Sequence, residues 1–204
     1  MIPNPKTTFE SYFITSPLLY PELSPIIFKQ RLENIFQSHS IQKACFRDST
    51  QEIPAHLIKV FSQTCDQYNI ESFINLANTP QSLQYCQKYK LSGIHIKGNE
   101  LSQAKNLPKT LTEQKIKTFY SAHHKTEVSQ ALDLGIDFVT ISPIFFTPNK
   151  PNPLGISYLD SFDSECKAHL FALGGILTQE QIDAIKSKGL KGFASIRYFL
   201  DARF

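Results

Sequence analysis

The sequence predicts an α/β protein, a small (β/α)8 TIM barrel with a shortened C-terminal end, and three observations predict it. Eight short apolar runs of strand character recur along the chain, helical patterns lie between most of them, and the whole fits within 204 residues. Strand and helix in alternation is the pattern of a parallel sheet covered by helices. A doubly wound open sheet shares that pattern, because both architectures bury their strands on two faces. Eight strands at this length favour closure, near the small end of the barrel architecture. One domain over residues 1–204 is expected, since a chain of this size can bury a substantial core without staples or metals.

The first run, YFIT at 12–15, is followed by SPIIFKQ and then by Leu32, Ile35 and Phe36 at the i, i+3, i+4 spacing of one helix face. The second, IQKACFR at 41–47, is followed by Leu57, Val60 and Phe61 in the same spacing. The third to sixth are SFINLA at 72–77, GIHIK at 93–97, IKTFYSA at 116–122 and DFVTIS at 137–142. HLFALG at 169–174 is the seventh, and TQEQIDAIKSKG at 178–189 after it has the sharpest helix limits. There Thr178 is the N-cap, Gln181 completes a capping box, and Gly189 is the stop. The eighth, GFASIR at 192–197, runs almost directly into YFLDARF, which leaves little room for a closing helix.

The charge balance of 21 Lys plus Arg against 18 Asp plus Glu gives a net +3, scattered without a basic arm or stripe, so a nucleic-acid surface is not expected. Cys45, Cys65, Cys86 and Cys166 lie far apart with no C-x-x-C pair, which predicts reduced core cysteines rather than a zinc knot or disulfide framework. The start, MIPNPKTTFE, has no apolar h-region, and no run of 18 apolar residues follows, so a cytoplasmic protein without a membrane span is expected.

In such a barrel the reactive groups lie at the C-terminal ends of the strands. That rule selects Arg47 in FRDST, Asn78 in NLANTP, Glu100 in HIKGNE, and Ser121 with His123 in YSAHHK. It also selects Thr147, Asn149 and Lys150 in SPIFFTPNKPNPLG, Gly174 and Gly175 in ALGGI, and Ser195 in ASIR. Few of these are acids and many can hold an anion. Two glycines before the helix at Thr178 let backbone N–H groups approach a phosphate, with the helix N-terminus adding partial positive charge; a plain tight turn is the competing reading. The proline-rich loop restricts its backbone while presenting Thr147, Asn149 and Lys150, either to an anion or simply to solvent. His123 at a strand end has the chemistry of an acid or base, or of a structural donor. His124 would point the other way, His95 is expected to pack inside the barrel, and His39, His56 and His169 are expected to be structural.

The segments YSAHHKTEVSQALDLGIDFVTISPIFFTPNK and LFALGGI closely resemble the thiamine phosphate synthase and TenI family, with its S-x-H after strand five, G/S-P-I/V-F-x-T-x-x-K after strand six and I-G-G-I after strand seven. Weaker likeness runs from YFIT to GFASI. The resemblance implies a small (β/α)8 barrel acting in thiamine biosynthesis on small phosphorylated substrates. The synthase branch joins hydroxymethylpyrimidine diphosphate to thiazole phosphate and releases pyrophosphate with Mg2+; the TenI branch isomerises a thiazole carboxylate phosphate. On this chain, Ser121, Thr147, Asn149 and Lys150 fall where the synthases hold pyrophosphate, and Arg47 matches their strand-two arginine. Gly155, Gly174, Gly175 and Ser195 fall near the thiazole-phosphate pocket, and His123 matches the acid/base histidine of the TenI branch.

Two departures stand out. Ser49 replaces the lysine implied two residues after Arg47, and Thr79 follows Asn78 where the resemblance implies the aspartate that binds magnesium. Glu100 falls at the second carboxylate, so Mg2+ is expected at a weakened site with Glu100 as its ligand. Synthase activity is expected, with His123 and Lys150 as catalytic residues. A thiazole tautomerase or a non-catalytic phosphate binder are the alternatives. No nucleic-acid or membrane partner is expected, and a homo-oligomer stays open.

Overall fold

A computed structural model describes residues 8–50, 52–105 and 115–200. Its eight strands are β1 Glu10–Ile14, β2 Lys43–Arg47, β3 Glu71–Asn75, β4 Gly93–Ile96, β5 Lys117–Ala122, β6 Phe138–Ile141, β7 Leu170–Leu173 and β8 Gly192–Ser195. They close into one parallel barrel in sequence order, with β1 pairing β8 through Glu10–Gly192 to Phe13–Ser195. The open-sheet alternative is thereby excluded. The helices described are α1 Pro25–Ser38, α2 Ala55–Gln67, α3 Thr79–Tyr89, α4 Leu101–Lys105, α5 Lys125–Asp133, α6 Ser164–Lys167 and α7 Gln179–Ser187. The capping box at Thr178 and Gln181 forms as its sequence predicts, and Gly189 stops α7 with φ of 76°. Among the described residues, β8 is followed by a 3-10 turn, Arg197–Phe199.

The strand period of two sorts residues between two cores. Tyr12, Ile14, Cys45, Phe73, Phe119, Phe171 and Ala194 point into the barrel, while neighbours such as Phe13, Phe46, Ile74, Val139 and Leu170 pack outward under the helices. The interior is unusually aromatic: Phe119 stacks on Tyr12 at 4.3 Å and meets Phe73 and Phe171 edge-on at 4.9 and 5.2 Å. Each such buried side chain contributes about 1.5–3 kcal/mol. Glycine makes the room, because a Cβ on Gly93 or Gly192 would lie 2.6 Å from the ring of Phe73 or Phe171.

At the N-terminal end the barrel is plugged by charge. The buried Lys43 ammonium lies 2.8 Å from carboxylate oxygens of both Glu10 and Glu71, which are shared in turn with Lys191 and Lys117. The other end is left for chemistry. Cys45, Cys65 and Cys86 are buried and Cys166 half-buried, all free thiols, and no described helix is long and apolar enough to cross a membrane.

Candidate functional site

The C-terminal ends of the strands surround a cavity of about 390 Å³. Arg47 at the end of β2, Lys97 after β4, Lys150 after β6 and Arg197 after β8 all line it, and among the described residues no aspartate or glutamate does. Four cations without an acid in the described lining give the cavity a positive potential. Ser121, His123, Thr147, Gly174, Gly175 and Ser195 line it too, so eight of the twelve residues selected from the sequence converge on one cavity.

The loop after β6 explains its prolines by its path. Ile144 and Phe145 donate their N–H groups to the carbonyls of Leu173 and Gly174, and the loop returns through Leu154 and Gly155, which donate to Pro143 and Ile144. Between them Lys150 N–H closes a turn on Thr147, with Asn149 left-handed at φ of 60°. The turn after β7 lies directly under this loop: a Cβ on Gly174 would stand 2.7 Å from Pro143 Cα, and one on Gly175 2.5 Å from the Phe146 carbonyl oxygen. The paired glycines therefore serve close backbone approach as well as positive φ, 96° and 69°.

The helix cap changes the phosphate reading in one respect. The N–H groups of Leu177 and Thr178 go to Gln181 Oε1, and Gln181 N–H goes to Thr178 Oγ1, so the opening of α7 is closed by its own side chains. Gly175 and Ile176, which line the cavity, keep N–H groups without a protein partner among the described residues. Ser195 lines the cavity but donates its hydroxyl to the Ile176 carbonyl at 3.0 Å, which ties the end of β8 to this turn.

Deeper in, a polar relay crosses the barrel. Tyr12 hydroxyl lies 3.0 Å from His95 Nδ1, and His95 Nε2 lies 2.8 Å from Ser121 Oγ. Burial, with Arg47 nearby, pulls the His95 pKa down to about 3, and burial foremost, then Cys45, raises Tyr12 well above its ordinary value. The imidazole is neutral and the phenol protonated. Two tautomers satisfy these contacts: Tyr12 donates to Nδ1 and Nε2–H points at Ser121, or Nδ1–H points at Tyr12 and Ser121 donates to Nε2. The first leaves the Ser121 hydroxyl proton for the cavity. At the rim, His123 Nδ1 lies 2.9 Å from the Ser142 carbonyl, which can only accept, so Nδ1 carries a hydrogen and Nε2 is the ring nitrogen without a partner among the described residues.

The family described as thiamine monophosphate synthase matches residues 12–199. The chain belongs to that family. Among curated members, a putative thiamine-phosphate synthase 2 of Aquifex aeolicus is 37% identical over 84 residues, 40% of this chain and 45% of that protein. The thiamine-phosphate synthase of Caldicellulosiruptor saccharolyticus is 32% identical over 105 residues, 50% of this chain and 47% of its own length. The matched stretches thus span less than half of these thiamine-phosphate synthases. A thiamine phosphate pyrophosphorylase from Pyrococcus furiosus superposes with a TM-score of 0.68 over 95% of this chain and 88% of its own, at 16% identity. An N-acetylmannosamine-6-phosphate 2-epimerase from Clostridium perfringens reaches the same score over 95% of this chain and 89% of its own, at 12% identity. These two share the fold.

Four of the selected residues lie outside the cavity lining of this thiamine monophosphate synthase family member. Asn78 caps α3, its Oδ1 accepting Gln81 N–H at 2.9 Å. Asn149 is the exposed left-handed residue of the loop turn, and Gly155 opens the 3-10 turn Ile156–Ser161 with φ of 81°. Glu100 accepts both the N–H and the hydroxyl of Thr79, at 3.0 and 2.8 Å. Mg2+ usually takes one or two carboxylates at near-ideal octahedral geometry. Here Glu100 uses one oxygen, Oε2, to cap α3, and no group of three acidic, histidine or cysteine side chains assembles among the described residues, so the donor set is poorer than the pair of carboxylates that the resemblance implies.

Sequence reasoning missed Tyr12, Asn75, His95 in its relay role, Lys97 and Arg197. Asn75 lines the cavity and donates to the His95 carbonyl at 2.6 Å. Lys97 and Arg197 each stand immediately beyond a strand's apolar run, the signal already used for Arg47.

Proposed function

We propose that the chain is a transferase of thiamine phosphate synthase type, joining a pyrimidine diphosphate to a thiazole phosphate. The supporting observation is the single cavity lined by Arg47, Lys97, Lys150 and Arg197 and by no acid. In the reaction the carbon–oxygen bond between the pyrimidine methylene and the diphosphate breaks, and the leaving pyrophosphate takes the electron pair. The thiazole nitrogen supplies the pair for the new carbon–nitrogen bond. Charge therefore builds on the departing oxygens, and fixed cations in a cavity stabilise it without reorganisation. Arg47, Lys97 and Lys150 face the diphosphate, helped by the Ser121 hydroxyl that His95 aims outward. Gly175 and Ile176 N–H groups, with Arg197, hold the thiazole phosphate and so fix the two partners in line. The test is incubation of the purified chain with both substrates, reading thiamine phosphate by mass spectrometry. Lys150→Ala is expected to lower kcat/KM about ten- to a hundredfold; no product from the unaltered chain overturns the reading.

The position of His123, held by Nδ1 on the Ser142 carbonyl at the cavity rim, favours a second reading, a thiazole tautomerase. A base on the rim can move a proton within a phosphate-anchored ring. Isomerisation of a thiazole carboxylate phosphate followed by NMR, abolished in His123→Gln, distinguishes it.

A further inference from the structure

The turn after β4 reaches the loop before α3 with two side chains of opposite charge. Glu100 holds Thr79, as described, and three residues earlier Lys97 extends its stem to the same loop, where Nζ donates to the Ala77 carbonyl at 3.0 Å. Ala77 and Thr79 are two residues apart, so the ammonium stands beside the place where a pair of acids would be needed to hold a metal. An ammonium has three donors. One goes to Ala77, no carboxylate pairs with Lys97 among the described residues, and the group lines the cavity beside His95 and Gly98. A divalent cation brought here would meet that fixed positive charge and, among the described residues lining this turn, a single carboxylate, one of whose oxygens already accepts twice from Thr79.

We infer that Lys97 takes the place of a divalent cation in this cavity, and that the chain binds a diphosphate group without metal. The inference rests on the reading of the cavity as a diphosphate site. The Ala77 carbonyl fixes the ammonium in place, and its two remaining donors turn to the diphosphate oxygens opposite Arg47 and Lys150. Position and charge are thus built into the polypeptide.

Inorganic pyrophosphate is the probe. Calorimetry of the full chain is run once with a chelator present and once with excess Mg2+, and Mn2+ retention is read by electron paramagnetic resonance with and without pyrophosphate. The expected result is affinities within about threefold of each other, no retained Mn2+, and about a ten- to hundredfold loss in Lys97→Met. Binding that requires Mg2+, or Mn2+ held with pyrophosphate, overturns the inference and leaves the diphosphate reading standing. Lys97→Met binding as tightly as the unaltered chain under chelator also overturns it. If pyrophosphate binds under neither condition, the diphosphate reading falls and the inference with it. The metal comparison uses only the unaltered chain, so it decides even if the variant fails to fold.

Discussion

His95 Nε2 stands 2.8 Å from Ser121 Oγ, and the opposite ring nitrogen stands 3.0 Å from the Tyr12 phenol, so a buried imidazole links the barrel interior to a cavity hydroxyl. A Ser121 proton aimed at the diphosphate calls for the Nε2–H tautomer, with Tyr12 donating to Nδ1. In 15N-detected NMR, His95 is expected to show that tautomer and no titration between about pH 5 and 8. Tyr12→Phe removes the donor to Nδ1 and should shift the tautomer equilibrium, with kcat falling more than affinity. A His95 signal in the Nδ1–H form would defeat the argument.

The same residue makes stability depend on pH with a definite sign. The folded pKa of His95 is pulled down to about 3, below the ordinary value near 6.5. Between those values the unfolded chain binds the extra proton, so this contribution is complete above about 6.5 and shrinks as pH falls toward 3. Urea midpoints measured from pH 7 to 4 should therefore decline less steeply in His95→Gln than in the unaltered chain, where both still unfold in one transition.

Gly175 and Gly189 both have positive φ, 69° and 76°, yet a Cβ would meet the Phe146 carbonyl at 2.5 Å in the first and open space in the second. Gly189→Ala is expected to cost about 1 kcal/mol from backbone strain alone. Gly175→Ala adds displacement of the β6 loop, so about 2–4 kcal/mol is expected, together with weaker phosphate binding because Thr147 and Lys150 ride on that loop. Equal costs in the two variants, by chemical denaturation, would show that the loop does not rest on the glycine.

The barrel was readable because its signals are local: strand runs, the Thr178 and Gln181 cap, and the Gly189 stop each depend on neighbours in sequence. The rim rule located Arg47, Ser121, His123, Thr147, Lys150 and the glycine pair for the same reason, since the end of a strand can be seen in the chain. What escaped was lateral. Tyr12 and His95 are 83 positions apart and meet only because strands β1 and β4 face one another across a closed barrel. Glu100 had the composition of a metal ligand, and only its two bonds to Thr79 disclose a helix cap. Asn78 likewise carried the chemistry of an anion donor, and its accepting Oδ1 also caps α3 through Gln81.

Arg197 extends the cationic lining to the end of β8, on the side of Gly175 and Ile176, with no carboxylate partner among the described residues. If the two ends of the cavity hold different phosphates, Arg197→Ala should weaken binding of the thiazole phosphate about tenfold and leave pyrophosphate affinity nearly unchanged. Calorimetry with each ligand separately checks this. A parallel loss for both would merge the two subsites into one.

The plug at the far end of the barrel should govern stability without touching the cavity. Lys43 is buried between Glu10 and Glu71, so Lys43→Met leaves each carboxylate with one lysine partner, Lys191 or Lys117, and about 2–4 kcal/mol of destabilisation is expected at pH 7. Burial alone would raise the Glu71 carboxyl, but hydrogen bonds from Lys117 and Lys43 outweigh it and hold it below the ordinary range. Its contribution is therefore present at neutral pH and lost as acid protonates it. The penalty of Lys43→Met should shrink accordingly as acid protonates Glu71, below the ordinary carboxylate range. Adding Glu10→Gln and Glu71→Gln to the variant should recover most of the loss at pH 7. Pyrophosphate affinity should stay unchanged throughout, because the plug and the cavity occupy opposite ends of the strands.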